Sequence, residues 1–363
     1  MLRIGGDLMK KKPRIVFIVP SLKSGGAERV IVTLANNLSQ NFQVEIWMMV
    51  ATQVEYSLSE DVILDTSYIG INKGGITRLV WLIDRLKKDK DTVVISFMTK
   101  MNLYAIIAAK IARVRVIVSE RNDPSKTIAP KYYGIRDFLY RYADKVVFQT
   151  DGAMRFFSDK VQKNGCIILN PLRKDIPDVY EGKHNRDIVT VSRLHPQKNL
   201  KLMIDAFDAF RSEHKEYRLV IYGEGPIEQE LKEYTKEKGI ENKVVFAGVD
   251  ENVFEKIRNS AMFVITSNFE GLSNALLEAM AVGLPCISTD SPPGGARMVI
   301  DNEVNGILVP VGDRDKLVKA MKRIASDKNF AKNIGEKASS IRVKINEEII
   351  CEQWRNLVCN LIR

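Results

Sequence analysis

At 363 residues the chain is too long for one ordinary core and suits two domains of about 150–180 residues. Its 45% hydrophobic and 28% charged residues exclude a disordered protein, and its longest apolar run, Leu103–Ala109, is far short of the roughly 20 residues a bilayer-spanning helix needs. The formal net charge of +10 sits wholly in residues 1–172, which hold 26 Lys/Arg against 16 Asp/Glu, while the remainder holds 29 of each.

The opening shows no secretory pattern: Lys10–Lys12 precedes one short apolar run, Ile15–Val19, cut by Pro20. A cytoplasmic protein is expected, at most peripheral on the inner face of the cell membrane. Strands are expected at Arg14–Val19, Val44–Val50, Thr92–Phe97, Val114–Ser119, Lys145–Gln149 and Cys166–Leu169. Amphipathic helices fall between them at Ala27–Ser39, Gly75–Lys88, Asn102–Arg113, Gly134–Tyr142 and Asp151–Lys160. Continuous apolar strands separated by helices imply a parallel sheet covered on both faces. The charged, proline-containing stretch 173–186 separates this half from the next and is the expected linker.

The rhythm then repeats. Strands are expected at Ile188–Ser192, Tyr217–Tyr222, Lys243–Phe246, Met262–Thr266, Cys286–Thr289 and Gly306–Val309. Helices are expected at Leu200–Ser212, Pro226–Lys238, Val253–Arg258, Asn274–Val282 and Arg314–Ala325, with one more at Glu347–Arg363. The fold class is therefore α/β, with two doubly wound parallel-sheet domains, 1–172 and 187–346, facing each other across a cleft at their strand ends. Cys166, Cys286, Cys351 and Cys359 lack ligand spacing and read as reduced, mostly buried thiols.

Four motifs lie at the C-terminal ends of expected strands. In NFEGLSNALLEAMAVGLP, Asn268–Pro285, Ser273 is a natural N-cap and Gly283 with Pro285 a natural stop. Gly271, Leu272, Ser273 and Asn274 begin a helix whose free N–H groups suit a phosphate or a sugar hydroxyl. Glu270 before that helix and Glu278 inside it can face one ligand, since carboxylates grip hydroxyls well; an ordinary solvated helix is the plainer alternative. In VSRLHPQKN, Val191–Asn199, Arg193 and Lys198 offer two cations to a diphosphate leaving group, or else form a basic surface loop in which His195 is incidental. PSLKSGGAER, Pro20–Arg29, carries Gly25 and Gly26, which allow close backbone approach to a phosphate, but lacks the full dinucleotide fingerprint. YGEGP repeats that geometry at Gly223; both are weak alone, and their common position at strand ends is what gives them weight.

At these residues the chain resembles the retaining glycosyltransferases of family 4, which have the GT-B fold of two facing Rossmann-like domains. The family's two glutamates separated by seven residues are matched by Glu270 and Glu278. The resemblance implies that Glu270 contacts the transferred sugar, Glu278 the ribose hydroxyls, and Arg193 and Lys198 the diphosphate, with Gly26 approaching it from the first domain. It implies a nucleotide diphosphate sugar as co-substrate, with a UDP-sugar favoured, no cofactor and no metal. Asn170–Pro171 matches the Asn-Pro that usually closes the family's first domain, and the resemblance also implies a final helix, 347–363, that returns to that domain. The family usually has a histidine after the fourth main strand of that domain. Here the stretch reads VSERNDP, which makes Glu120, Arg121 and Asn122 candidates for contact with the sugar or acceptor.

The expected acceptor is a saccharide or lipid-linked saccharide of cell-surface polysaccharide synthesis. The basic first half suggests an anionic membrane surface, through Arg78–Lys88 and through Gly134–Tyr142 with Arg136 and Arg141, although the plainer reading of Arg78–Lys88 is that its apolar face packs on the sheet. Nucleic acid is the competing anion, but no recognised binding motif for it is present. A nucleotide-sugar epimerase of the same architecture and a non-catalytic nucleotide-sugar-binding protein are the rival functions.

Overall fold

The computed structural model of the chain describes residues 12–23, 25–69 and 74–362; Lys10, Lys11 and Ser24 of the motifs above lie outside them. Among the described residues thirteen strands form two sheets. The first contains β1 (Arg14–Val19), β2 (Gln43–Met48), β3 (Val62–Asp65), β4 (Thr92–Phe97), β5 (Arg115–Ser119), β6 (Lys145–Phe148) and β7 (Gly165–Ile167), in the order 3-2-1-4-5-6-7. The second contains β8 (Asp187–Val191), β9 (Arg218–Tyr222), β10 (Val244–Gly248), β11 (Met262–Ile265), β12 (Cys286–Thr289) and β13 (Ile307–Val309), in the order 10-9-8-11-12-13. Every pairing between these strands is parallel, and one isolated antiparallel bridge joins Gly223 to Gly248. The strand order reverses beside β1 and β8, the switch points at which such sheets bind ligands.

The period of two decides which face each residue covers. In β1, Ile15, Phe17 and Val19 enter one core while Val16 and Ile18 enter the other. In β11, Phe263 and Ile265 share the first of these cores with β1, and Met262 and Val264 point into a third. One apolar layer is thus continuous between the halves, through Leu272, Leu276 and Met280 beside helix Asn274–Ala281. Helix Glu347–Ile362 completes it on the side of the first sheet. Ile350, Trp354 and Val358 recur every four residues and are fully buried, Trp354 lies 5.6 Å from Phe97, and Arg355 Nη2 donates to Asn37 Oδ1 at 2.9 Å.

Several elements differ from expectation, among them the short helices Pro124–Thr127 and Ile341–Lys344. Strand β3 is a four-residue edge strand in which only Val62 is buried and Ile63 stands exposed, and its register against β2 defines it. The single helix expected at Asp151–Lys160 is two short ones, Asp151–Arg155 and Asp159–Gln162. Phe157 turns into the core between them, and the Ser158 N–H and hydroxyl both donate to Asp137 at 2.8 Å. Helix Lys328–Ser339 was not expected; Asp327 caps it by accepting from the Phe330 N–H at 2.9 Å. Stretch 173–186 is fastened to the second half, with the Asn185 N–H donating to Asn259 O at 2.7 Å and His184 Nδ1 lying 2.8 Å from Ser260 O. The four cysteines are unpaired, and burial pushes the Cys351 thiol up to about 12.

Candidate active site

The loops after β8 and β11 build one wall of the cleft. After β8 the chain makes a short turn at Pro196–Lys198, entered through His195, whose Nδ1 accepts from the Gln197 N–H, and left through Asn199 in the left-handed conformation (φ 47°). The Asn268 N–H donates to Gln197 O at 2.8 Å and Gln197 Nε2 donates to Phe269 O at 2.8 Å, while Thr266 Oγ1 donates to Lys198 O at 2.9 Å. These bonds zip the two loops together, so the ammonium of Lys198 and the carboxylate of Glu270 form an ion pair, with Ser267 Oγ donating to Glu270 at 3.3 Å. Arg193 is exposed beside them, and the buried Ser192 hydroxyl has no partner among the described residues. Ser192, Lys198, Thr266, Ser267 and Ser273 line one small cavity at these strand ends.

Helix Asn274–Ala281 starts at Ser273, whose hydroxyl accepts from the Leu276 N–H at 3.4 Å. Gly271 is required there by close packing: a Cβ would fall 2.6 Å from Arg121 O and from Gln149 Oε1, both in the first half. Glu278, one turn further on, is 3% exposed and forms an ion pair with Arg29 of helix Gly26–Leu38 across the cleft. Burial pushes its carboxyl up, and the Arg29 and Arg173 charges pull the other way.

The opposite wall is the turn after β1. The Gly25 N–H donates to the Tyr56 hydroxyl at 2.8 Å, and that hydroxyl donates to Gly25 O at 2.8 Å, so the Gly25 amide is not free for a phosphate as the motif suggested. Gly26 lies against Asn274, whose Nδ2 donates to Gly26 O at 3.1 Å. The Glu28 carboxylate stands in front of Gly25. Burial raises it, its own backbone amide opposes that, and so does the charge of Arg193 from the facing wall. Gly223, at φ 124°, is explained within its own domain, since a Cβ would fall 1.9 Å from Ser192 O.

The candidates after β5 require correction. Glu120 is buried away from the cleft, where it accepts hydrogen bonds from Thr99 Oγ1 and the Tyr140 hydroxyl, and burial raises its carboxyl. Arg121 turns inward: Nη1 donates to Asn170 Oδ1 at 2.9 Å and the guanidinium lies 3.9 Å from the Phe97 ring centre. Burial pulls it down to about 9, so it stays charged at neutral pH. Asn122 Oδ1 accepts from the Asp123 N–H in a local turn.

Of the two basic helices, Arg78–Lys88 packs on the sheet, the plainer of its two readings, and Gly134–Tyr142 differs from expectation at Arg136. Leu82 and Leu86 of the Arg78–Lys88 segment are buried on the sheet, Arg85 is paired with Asp65, and Arg78 lies over Tyr68 and Tyr104. Arg136 is 1% exposed, packed on Tyr133, Phe156 and Phe157, so it cannot meet a surface. Sequence reasoning missed Arg29, Ser192, Gln149 and the bonding of Asn170. Arg29 and Ser192 lay within the quoted motifs, but only tertiary contacts single them out. Among the described residues, no group of three or more His, Cys, Asp and Glu side chains could hold a metal ion, and no helix is long and apolar enough to cross a membrane.

Comparison with known proteins agrees with this geometry. Residues 173–340 match the family described as Glycosyl transferases group 1. A Campylobacter jejuni enzyme named as an α-1,4-N-acetyl-D-galactosaminyltransferase acting on GalNAc-α-(1→4)-GalNAc-α-(1→3)-diNAcBac-PP-undecaprenol is 29% identical over 363 residues, covering 96% of this chain and 99% of its own. An amylovoran biosynthesis glycosyltransferase of Erwinia amylovora is 25% identical over 350 residues, covering 92% and 96%. The fold matches the crystal structure of Anabaena HepE in complex with UDP-glucose, with a TM-score of 0.81, 16% identity and coverage of 96% and 99%. The chain is a glycosyltransferase of the GT-B fold, and its residues 173–340 belong to the glycosyl transferases group 1 family.

Proposed function

We propose that this group 1 glycosyltransferase moves a hexose or N-acetylhexosamine, with retention of configuration, from a UDP-sugar to a lipid-linked saccharide at an anionic membrane face. The observation that carries the proposal is the Lys198–Glu270 ion pair, set by two zipped loops at the ends of β8 and β11, beside exposed Arg193 and the unpartnered hydroxyl of Ser192. In the bond exchange an acceptor oxygen bonds to the anomeric carbon and the bond from that carbon to the diphosphate oxygen breaks. The acceptor's proton passes to the departing phosphate, and UDP leaves. Lys198 and Arg193 stabilise the charge that develops on the diphosphate, and Glu270 holds the sugar, so no side chain need act as base. Glu278 would accept from the ribose hydroxyls once Arg29 shares or yields it. Metal is not required on this reading, since the two cations supply the charge.

Full-length relatives named for undecaprenol-linked and amylovoran products support the class of acceptor. The membrane reading moves to the segment 132–142. There Tyr132, Ile135 (56% exposed), Phe138 (51%) and Tyr142 stand in solvent beside Lys131 and Arg141, a mixture suited to anionic lipid. The test is a panel of nucleotide sugars with and without a lipid diphosphate-linked saccharide, read as nucleotide release and as the anomeric configuration of the product. UDP release that depends on the acceptor, with an α-linked product from an α-linked donor, is expected. A changed nucleotide sugar without UDP release would indicate an epimerase, and no turnover of any donor a binding protein.

A further inference from the structure

Three side chains form a hydrogen-bonded relay from the loop after β5 to the turn after β1, passing through the loop that carries Glu270. Arg121 Nη1 donates to Asn170 Oδ1 at 2.9 Å, Asn170 Nδ2 donates to Asn274 Oδ1 at 2.7 Å, and Asn274 Nδ2 donates to Gly26 O at 3.1 Å. The ends set its direction. A guanidinium can only donate and a carbonyl can only accept, so each amide between them has one allowed orientation. Asn170, 4% exposed, is used to capacity: Oδ1 also accepts from Gln149 Nε2 at 2.6 Å, and Nδ2 also donates to Leu272 O at 3.1 Å. Gln149 Oε1 in turn accepts from the Leu272 N–H at 3.2 Å. There is little slack, since a Cβ at Gly26 would lie 2.9 Å from Asn274 Nδ2.

We infer that Asn170 is a positioning residue for the sugar donor. It sets the Gly271–Asn274 loop and the Gly25–Gly26 turn in one register, so that both walls hold the same donor. The inference rests on the donor site proposed above. Asn170 acts through Leu272 and Asn274: its oxygen answers the first half and its nitrogen answers the donor loop, so a one-atom exchange separates the two tasks.

Asn170→Asp is that exchange. One oxygen keeps Arg121 and Gln149, while the other faces Leu272 O and Asn274 Oδ1, which are both acceptors. Flipping the Asn274 amide would relieve one clash only by turning its oxygen toward Gly26 O. We expect KM for the nucleotide sugar to rise about tenfold, the value of one or two lost hydrogen bonds. The acceptor KM should stay within twofold, and the rise in Tm on adding UDP should shrink. A merely structural role would lower yield and Tm but leave the donor KM alone, and an unchanged donor KM in folded Asn170→Asp overturns the inference. Should that variant fail to fold, Asn274→Asp breaks only the link to Gly26 O, at a helix start where an acidic residue is favourable; an unchanged donor KM there overturns it equally. Wild-type protein that turns over no donor would remove the donor-site reading instead, and the UDP-dependent Tm shift still judges Asn170 in that event.

Discussion

The cleft wall after β8 and β11 and the wall after β1 and β5 differ in what their charged groups do. On the former, Arg193 is left to solvent and Lys198 and Glu270 meet each other at the surface of the cleft, held by backbone bonds between two adjacent loops. On the latter, Glu120, Arg121 and Arg136 are drawn inward, onto Tyr140, Asn170 and an aromatic cluster. The excess positive charge of the first half is thus not a measure of its free cations. A motif that fixes a loop at a strand end also fixes which way its side chains point, whereas net charge leaves pairing and burial undecided.

The largest expected effect tests the first wall. Glu270→Ala and Lys198→Ala should each lower kcat about 10³-fold, the scale of removing a group that stabilises developing charge; nucleotide release near the wild-type rate in either would leave this wall without a role. Next is Arg29→Ala, which asks whether the second wall contributes chemistry at all. It removes the cation that holds down the raised Glu278 carboxyl, so that group should need a higher pH to ionise. We expect kcat/KM for the donor to fall about tenfold near pH 7 and the acid limb of the pH profile to move upward; an unshifted limb would separate Glu278 from nucleotide binding.

Smaller effects concern the inward-turned groups. The Glu120 carboxyl is raised, so the folded state holds its proton more tightly than the unfolded chain. Its stabilising effect is complete below the ordinary carboxylate range and is lost as pH rises through the raised value. Glu120→Gln should therefore gain on wild type by about 2–4 °C in Tm between pH 5 and pH 8, and a gap that narrows over that range would contradict the assignment. Smallest of all, Lys131→Ala and Arg141→Ala should each weaken binding to anionic vesicles several-fold, at about 1 kcal/mol per cation. Turnover of a detergent-solubilised acceptor should not change; sedimentation equal to wild type would discard the 132–142 face.

The repeating strands were legible because both faces of each sheet are covered, which leaves runs such as Ile15–Val19 and Met262–Ile265 apolar throughout. Strand β3 was not, because an edge strand needs only Val62 and a partner in β2. At the site, Glu270, Lys198 and Ser273 were readable from their places beside turns and caps. Asn170 was visible only as half of an Asn-Pro pair, since its partners at 121, 149, 272 and 274 are far apart in the chain and only the tertiary fold joins them. Glu120 was misread for the reverse reason. It neighbours a strand end, but the side chain that covers it, Tyr140, arrives from a helix 20 residues later.

Helix Glu347–Ile362 lays Trp354 on Phe97 and joins Arg355 to Asn37, so the first sheet is finished by residues made more than 250 positions after Phe97. During synthesis the amino-terminal half emerges long before that cover exists, with Phe97 and one side of helix Gly26–Leu38 still bare. A released chain truncated before residue 347 should therefore hold a loosened first half, open to protease and to chaperone, beside a second half that can close only its outer core, around Ile188, Phe207 and Leu219. The shared layer between the halves would then be the last part of the molecule to close.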